Sequence, residues 1–146
     1  MIRRTTGRDP EFVALTKRLD AELREQYGEA QAQYVQYNFV ETDTAVVAYV
    51  DGVAVGCGCF KRYDDESVEL KRMFVGKEAR GTGIGRAIVV ALEAWATELG
   101  VRAIVLETGT EQHAAIALYE RAGYTRIPNY GPYADMPLSI CMRKML

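Results

Sequence analysis

The chain has 146 residues, with 18 Lys plus Arg against 20 Asp plus Glu, one His and three Cys. That length suits one domain spanning 1–146, and an apolar content of 49% with 26% charged residues excludes a disordered chain. A net charge of -2 argues against a nucleic-acid partner, and no apolar run approaches the roughly 18–20 residues of a membrane span.

The amino terminus, Met1-Ile2-Arg3-Arg4-Thr5-Thr6, lacks the apolar stretch of a secretory signal, so the expected location is cytoplasmic. Cys57, Cys59 and Cys141 are odd in number and form no Cys-x-x-Cys pair. Cys57 and Cys59 share a face if they lie in a strand and cannot easily bridge each other. Reduced, core-filling thiols are expected, with no zinc site and no metal.

In chain order, Ile2 to Thr5 reads as a short strand. Asp9-Pro10-Glu11 is a helix start, with Asp as N-cap and Pro at the first helical position, and Phe12, Leu15, Leu19 and Leu23 follow at helical spacing up to Gly28. Residues 29–40, rich in Gln and Tyr, read as a short helix or an ordered loop. Thr44 to Val50 and Val53 to Arg62 form two strands joined by the hairpin signal Asp51-Gly52. Ser67 to Val75 is the next strand, and strand alternation puts Glu69, Lys71, Met73 and Val75 on one face and Val68, Leu70, Arg72 and Phe74 on the other.

After a break at Gly76 to Thr82, Ile84, Ile88, Ala91, Leu92, Trp95 and Leu99 mark a long amphipathic helix closed by Gly100. Arg102 to Glu107 is a short strand and 111–122 a further helix. Tyr124 to Ile127 and Leu138 to Met145 are closing strands around a Pro- and Tyr-rich loop. The order is mixed α/β, with the strand–helix–strand unit of the second half parallel and right-handed.

The informative stretch runs from Val75 to Arg86. Its glycines let the backbone approach a ligand and turn N–H groups inward, and the following helix favours an anion at that end. From Lys71 to Arg86 there are five bases and one acid, a local charge of +4 in a chain that totals -2. A phosphate-bearing ligand accounts for both features, although a glycine-rich connection with solvated Lys and Arg would also produce them. A nucleoside-triphosphate loop fails, because no Gly-Lys-Ser/Thr follows at the required spacing. A dinucleotide-binding oxidoreductase is a weaker alternative: Glu107 ends the next strand, but Arg86 stands where a third small residue belongs.

Arg80-Gly81-x-Gly83-x-Gly85, opening a long helix after a strand, resembles the acyl-CoA signature of the GNAT superfamily of N-acetyltransferases. Ala115 to Tyr124 resembles that family's second helix and the strand after it; the two blocks span about residues 67–127. The resemblance implies an α/β fold: a mixed, mostly antiparallel twisted sheet of six or seven strands flanked by helices, its central parallel pair splayed to admit CoA. One departure is Gln112, where family members often carry Asn.

The resemblance implies that main-chain N–H groups of Arg80, Gly81, Thr82, Gly83, Ile84 and Gly85 hold the pyrophosphate of acetyl-CoA, with Arg80 and Arg86 near the phosphates and Gln112 near the cofactor arm. The pantetheine arm would lie along Met73, Phe74 and Val75 as an added strand, with a main-chain N–H near Met73 polarising the thioester. Tyr119 falls on the position of the Tyr thought to protonate the departing thiolate. Glu69 stands where a number of members place the acid that takes the amine's proton; a solvent-facing acid near a hairpin end is the alternative, and Glu66 and Glu107 are weaker candidates. Such an acid is needed because an alkyl ammonium is neutral in only about one molecule in 2,500 at pH 7, some 4.6 kcal/mol from its reactive form. His113 falls on an exposed side of its helix, and Trp95 fits the core stripe.

The same resemblance suggests that 31–43 and 128–135 line the acceptor site. Tyr34, Tyr37, Tyr130 and Tyr133 could form aromatic walls for an ammonium group, Glu41, Asp43 or Asp135 its counter-charge, and Lys71 or Arg72 could meet a ligand carboxylate. The implied activity is transfer of acetyl to a primary amine of a small molecule by direct attack in a ternary complex, with no acetyl-enzyme. The competing class is a non-catalytic acyl-CoA-binding regulatory module. Closing strands of this family often join dimers, and Leu138 to Met145 leaves a homodimer undecided.

Overall fold

A computed structural model describes residues 1–35 and 40–146. Strand β1 (Ile2–Thr5) leads into helix α1 (Pro10–Tyr27), and β2 (Ala45–Val50), β3 (Val53–Arg62) and β4 (Ser67–Val75) form a meander. Helix α2 (Ile84–Glu98), strand β5 (Ala103–Gly109), helix α3 (His113–Arg121), β6 (Thr125–Ile127) and β7 (Ser139–Met145) complete the chain. The sheet has seven strands in the order β1-β2-β3-β4-β5-β7-β6, with β4–β5 its parallel pair and every other pairing antiparallel.

Local chemistry sets the elements. Asp9 caps α1 by accepting the Glu11 N–H at 2.9 Å. Asp51 and Gly52 both take positive φ, 51° and 80°, the two-residue turn whose twist suits a hairpin. Asp64 accepts the N–H groups of Glu66 and Ser67 at 2.9 and 2.7 Å and so turns β3 into β4.

One core lies between the sheet and α2, built on Val46, Phe60, Leu70, Ile88, Leu92, Ile104, Leu106 and Met142, with Tyr119 of α3 in it. A second lies under α1, with Phe12, Leu15, Val47, Cys57, Cys59 and Phe74. Each fully buried aliphatic side chain stabilises the fold by about 1.5–3 kcal/mol. Trp95 packs at the edge of the first core against Phe60, as its place in the helix stripe suggested. The three cysteines are free and buried, and burial holds the Cys57 and Cys59 thiols up at about 12.

Two departures of β4 from regular pairing matter for function. Its ladder to β5 runs from Ser67↔Ala103 to Leu70↔Leu106 and then ends, while β5 continues along β7 as far as Gly109↔Ser139. On its other side Cys57 pairs with Phe74 but Cys59 pairs with Lys71, so Arg72 and Met73 stand opposite Gly58. Arg72 takes φ 57°, and this bulge corrects the simple alternation expected from the sequence. Met73 and Val75 join Leu70 on the α2 core, whereas Arg72 and Phe74 reach toward α1. The left-handed backbone is uncommon for Arg. It is held by the guanidinium, which donates to Thr16 O at 2.9 Å and Asp20 Oδ1 at 2.7 Å.

The bulge also brings Met73 over a residue with no side chain. A Cβ on Gly58 would lie 2.5 Å from Met73 Sδ, 3.0 Å from Leu92 Cδ1 and 3.1 Å from Ile88 Cγ2. Gly58→Ala should therefore lower unfolding free energy by about 1–3 kcal/mol through overpacking. Urea denaturation checks this; an unchanged midpoint would mean that the bulge is not tightly seated.

Candidate active site

Where β4 and β5 part, an open cleft of about 130 Å³ forms between the strand ends, α1 and the amino-terminal part of α3. Glu69, Lys71, Arg72, Met73, Gln112 and Tyr119 of the sequence-derived site all line it, as do Tyr34 and Tyr133. Tyr130 stands behind them: its hydroxyl donates to Glu69 Oε2 at 2.6 Å, and its ring meets Tyr133 edge-on with centroids 5.8 Å apart. Tyr37 lies outside the described residues.

Glu69 is not a solvent-facing acid. Its side chain is 7% exposed and is ringed by Tyr130, by Lys71 Nζ at 3.7 Å and by Lys61 Nζ at 3.9 Å. Lys71 is 8% exposed and its ammonium donates to the Tyr133 hydroxyl at 3.3 Å. Burial lowers the Lys71 pKa, against the opposing pull of Glu69. Glu107, a weaker candidate in the sequence, lies on the facing wall and accepts from Ser139 Oγ at 2.7 Å. Burial raises its pKa, with Ser139 and Lys71 pulling the other way.

The Tyr119 hydroxyl faces the cleft from α3, and among the described residues it hydrogen-bonds to none. Burial, with Glu107 nearby, raises its pKa and keeps it a protonated donor. His113 is 79% exposed beside Glu111, away from the cleft wall. Glu66 is also exposed and outside it. Glu41, Asp43 and Asp135, considered as counter-charges for an ammonium group, are exposed and do not line the cleft; Asp43 instead pairs with Arg8 at 2.8 Å. Buried Gln31, within the expected stretch 31–43, lines the cleft; sequence reasoning missed Tyr27, which α1 brings to the cleft, and Ser139, which the β5–β7 register places behind Glu107.

The glycine turn follows β4, whose residues from Glu69 to Met73 line the cleft, while Phe74 to Arg86 do not. After β4 the chain makes a short 3-10 turn at Lys77–Ala79, and Gly81 and Gly83 then take φ 77° and 86°. Gly83 in the left-handed conformation starts α2 with no side chain capping its first N–H groups and no acid in its first turn. Those donors and the positive end of the helix suit an anion. Arg80 anchors the turn through Nε to Val75 O at 2.8 Å and pairs with Glu22 at 2.7 Å; Arg86 is exposed at the first turn of α2. Gln112 precedes α3 and hydrogen-bonds through its side chain to Gln26 of α1. Among the described residues no cluster of His, Cys, Asp and Glu could hold a metal ion.

A sheet parted after four parallel pairs, with an uncapped helix start at the gap, is the architecture of an acyl-CoA N-acyltransferase. Residues 12–124 match the model of the acetyltransferase (GNAT) family, and the chain belongs to that family. It is 43% identical over 103 residues to an IAA acetyltransferase of Azospirillum brasilense, spanning 69% of this chain and 67% of that one. Further curated relatives are matched over less than half of their own length. A Klebsiella pneumoniae structure described as an acyl-CoA N-acyltransferase superposes with TM-score 0.83 at 35% identity, covering 100% of this chain and 97% of that one. A GNAT acetyltransferase from Elizabethkingia anophelis with acetyl-CoA bound has the same fold, with TM-score 0.70 at 18% identity over 100% and 97% of the two chains. The family assignment displaces the dinucleotide-binding reading of the glycine turn.

The charge pattern gives a pH signature. Because the folded state raises the Glu107 pKa above its ordinary 4.5, it holds that proton more firmly than the unfolded chain. The stability this contributes is full below about pH 4 and is lost as pH rises through the folded value. Glu107→Gln should therefore gain stability over the parent at pH 7 but not at pH 4, where other carboxylates titrate alike in both proteins. Denaturation at the two pH values measures this; an equal difference at both would contradict it.

Proposed function

We propose that the protein, acting as one domain in the cytoplasm, transfers an acetyl group from acetyl-CoA to the primary amine of a small molecule by direct attack in a ternary complex. The observation that carries this reading is the coincidence, at one gap in the sheet, of a donor-rich helix start, a free strand edge and an acid-lined cleft. Acetyl-CoA supplies an activated acetyl thioester. The N–H groups of residues 80–85 suit its pyrophosphate, with Arg80 and Arg86 adding charge and Gln112 standing near the arm. The strand edge from Met73 to Val75 suits an extended chain.

The residues divide the proton work as follows. The acidic wall of Glu69 and Glu107 attracts the ammonium and lowers the cost of removing one proton before attack. The neutral nitrogen then bonds to the acetyl carbon and gives its second proton to solvent as the C–S bond breaks, and the electron pair leaves on sulfur. Tyr119, held protonated by burial, supplies the proton that ends there. Cys57 and Cys59, buried and held as thiols in the α1 core, support a reaction without an acetyl-enzyme. The small open cleft supports a small acceptor over a long basic tail. Among the described residues no helix is long and apolar enough to cross a membrane, and the reduced thiols support an intracellular site.

Amine-dependent release of CoA thiol across a panel of small amines tests the proposal. Tyr119→Phe should lower kcat about ten- to a hundredfold while leaving the KM for acetyl-CoA within a few fold. An unchanged kcat would remove Tyr119 from the proton path. Tight CoA binding with no amine-dependent release from any amine would turn the reading toward a regulatory module.

A further inference from the structure

The cleft wall carries four charged side chains: Glu69, Lys71, Arg72 and Glu107. Two are matched by groups that do not line the cleft. Arg72 is paired with Asp20 at 2.7 Å, and Glu69 takes the Tyr130 hydroxyl at 2.6 Å and faces Lys61 at 3.9 Å. Among the described residues Lys71 and Glu107 are left with hydrogen-bonding capacity to spare. Lys71 has three donors, of which one reaches Tyr133; it forms an ion pair with Glu69 at 3.7 Å, a distance too long for a hydrogen bond, so donors remain for a ligand. Glu107 accepts from Ser139 alone, with room for further donors on a carboxylate.

We propose that the acceptor is a zwitterion of the amino-acid type, its ammonium group seated on Glu107 and its carboxylate on Lys71. This deepens the acetyltransferase reading and rests on it. A zwitterion fills the spare donors of Lys71 and the spare acceptors of Glu107 and leaves the net charge of the cleft unchanged. A polyamine would leave Lys71 facing a second cation, and a free acid would leave the spare acceptors of Glu107 unfilled. In this arrangement Glu107 is the first acceptor of the amine's proton, because it is the carboxylate whose coordination is incomplete. The groups facing it are Lys71 and Glu69 of β4, Ser139 and Cys141 of β7, Tyr119 of α3 and Tyr27 of α1, with Tyr34 before β2 reaching Ser139. Glu69, which already holds the Tyr130 hydroxyl and faces two lysines, completes the acidic wall that draws the ammonium in. Burial shifts both Lys71 and Glu107 toward their neutral forms, as expected of charges without full partners.

The test is a comparison of kcat/KM for several α-amino acids against the amines in which hydrogen replaces the carboxylate. The parent protein should prefer the amino acid at least tenfold in its best pair. Lys71→Met should collapse that ratio toward one, mainly through KM for the amino acid, and Lys71→Arg should restore most of it if the Met variant folds poorly. Glu107→Gln should lower kcat for both members of a pair and flatten the acidic limb of the pH profile. Equal use of both members by the parent, or an equal loss for both in Lys71→Met, would overturn the zwitterion while leaving amine acetylation intact. No thiol release with any amine would overturn the underlying reading as well.

Discussion

The parallel ladder between β4 and β5 stops after Leu70↔Leu106, and the site depends on that stop. Beyond it, β5 remains paired with β7 and β4 with β3, so neither strand can swing across to close the gap. Beyond Leu70, backbone donors and acceptors on the inner edge of β4 are left without partners from β5. The bulge at Arg72 works with this stop. It turns Met73 into the α2 core and Arg72 toward α1, leaving Lys71 as the β4 cation aimed at the cleft. A left-handed Arg is an expense of about 1–3 kcal/mol, and the Asp20 and Thr16 contacts hold it in place.

Charge is distributed with the same economy. The excess of bases between Lys71 and Arg86 is hidden by the whole-chain charge of -2, and α1 answers it locally. Asp20 takes Arg72, Glu22 takes Arg80, and Arg18 takes Glu78 at 3.0 Å, so successive turns of α1 tie down the strand end and the glycine turn. Those outer pairs are exposed on at least one side and contribute little individually to stability. Their effect is to orient. Inside the cleft Lys71 and Glu107 are largely buried, and a charge there weighs more than one at the surface.

Local chemistry was legible in the sequence, and distant pairing was not. Asp9-Pro10 started α1, Asp51-Gly52 turned the hairpin, and Gly81 and Gly83 took the positive φ that a glycine turn implies. Tyr119 and Gln112 reached the cleft because a helix carries its residues there in a fixed phase. The bulge had no such signal. It depends on Asp20 and Thr16, 52 and 56 residues before Arg72, and alternation alone put Met73 on the wrong face. The surroundings of Glu107 carried no local signal either. Its partner Ser139 is 32 residues away and arrives through the β5–β7 register. The acids near Tyr34 and in the final loop, by contrast, turned out to face solvent, because loop residues carry no periodicity that fixes their direction.

Analysis of the products by mass spectrometry, after incubation with acetyl-CoA and the amine panel, tests the central claim most directly. The account predicts one N-acetylated amine for each CoA thiol released, with no acetyl group retained on the protein. Bound CoA with no acetylated amine, or an acetyl group carried on the chain during turnover, would contradict it.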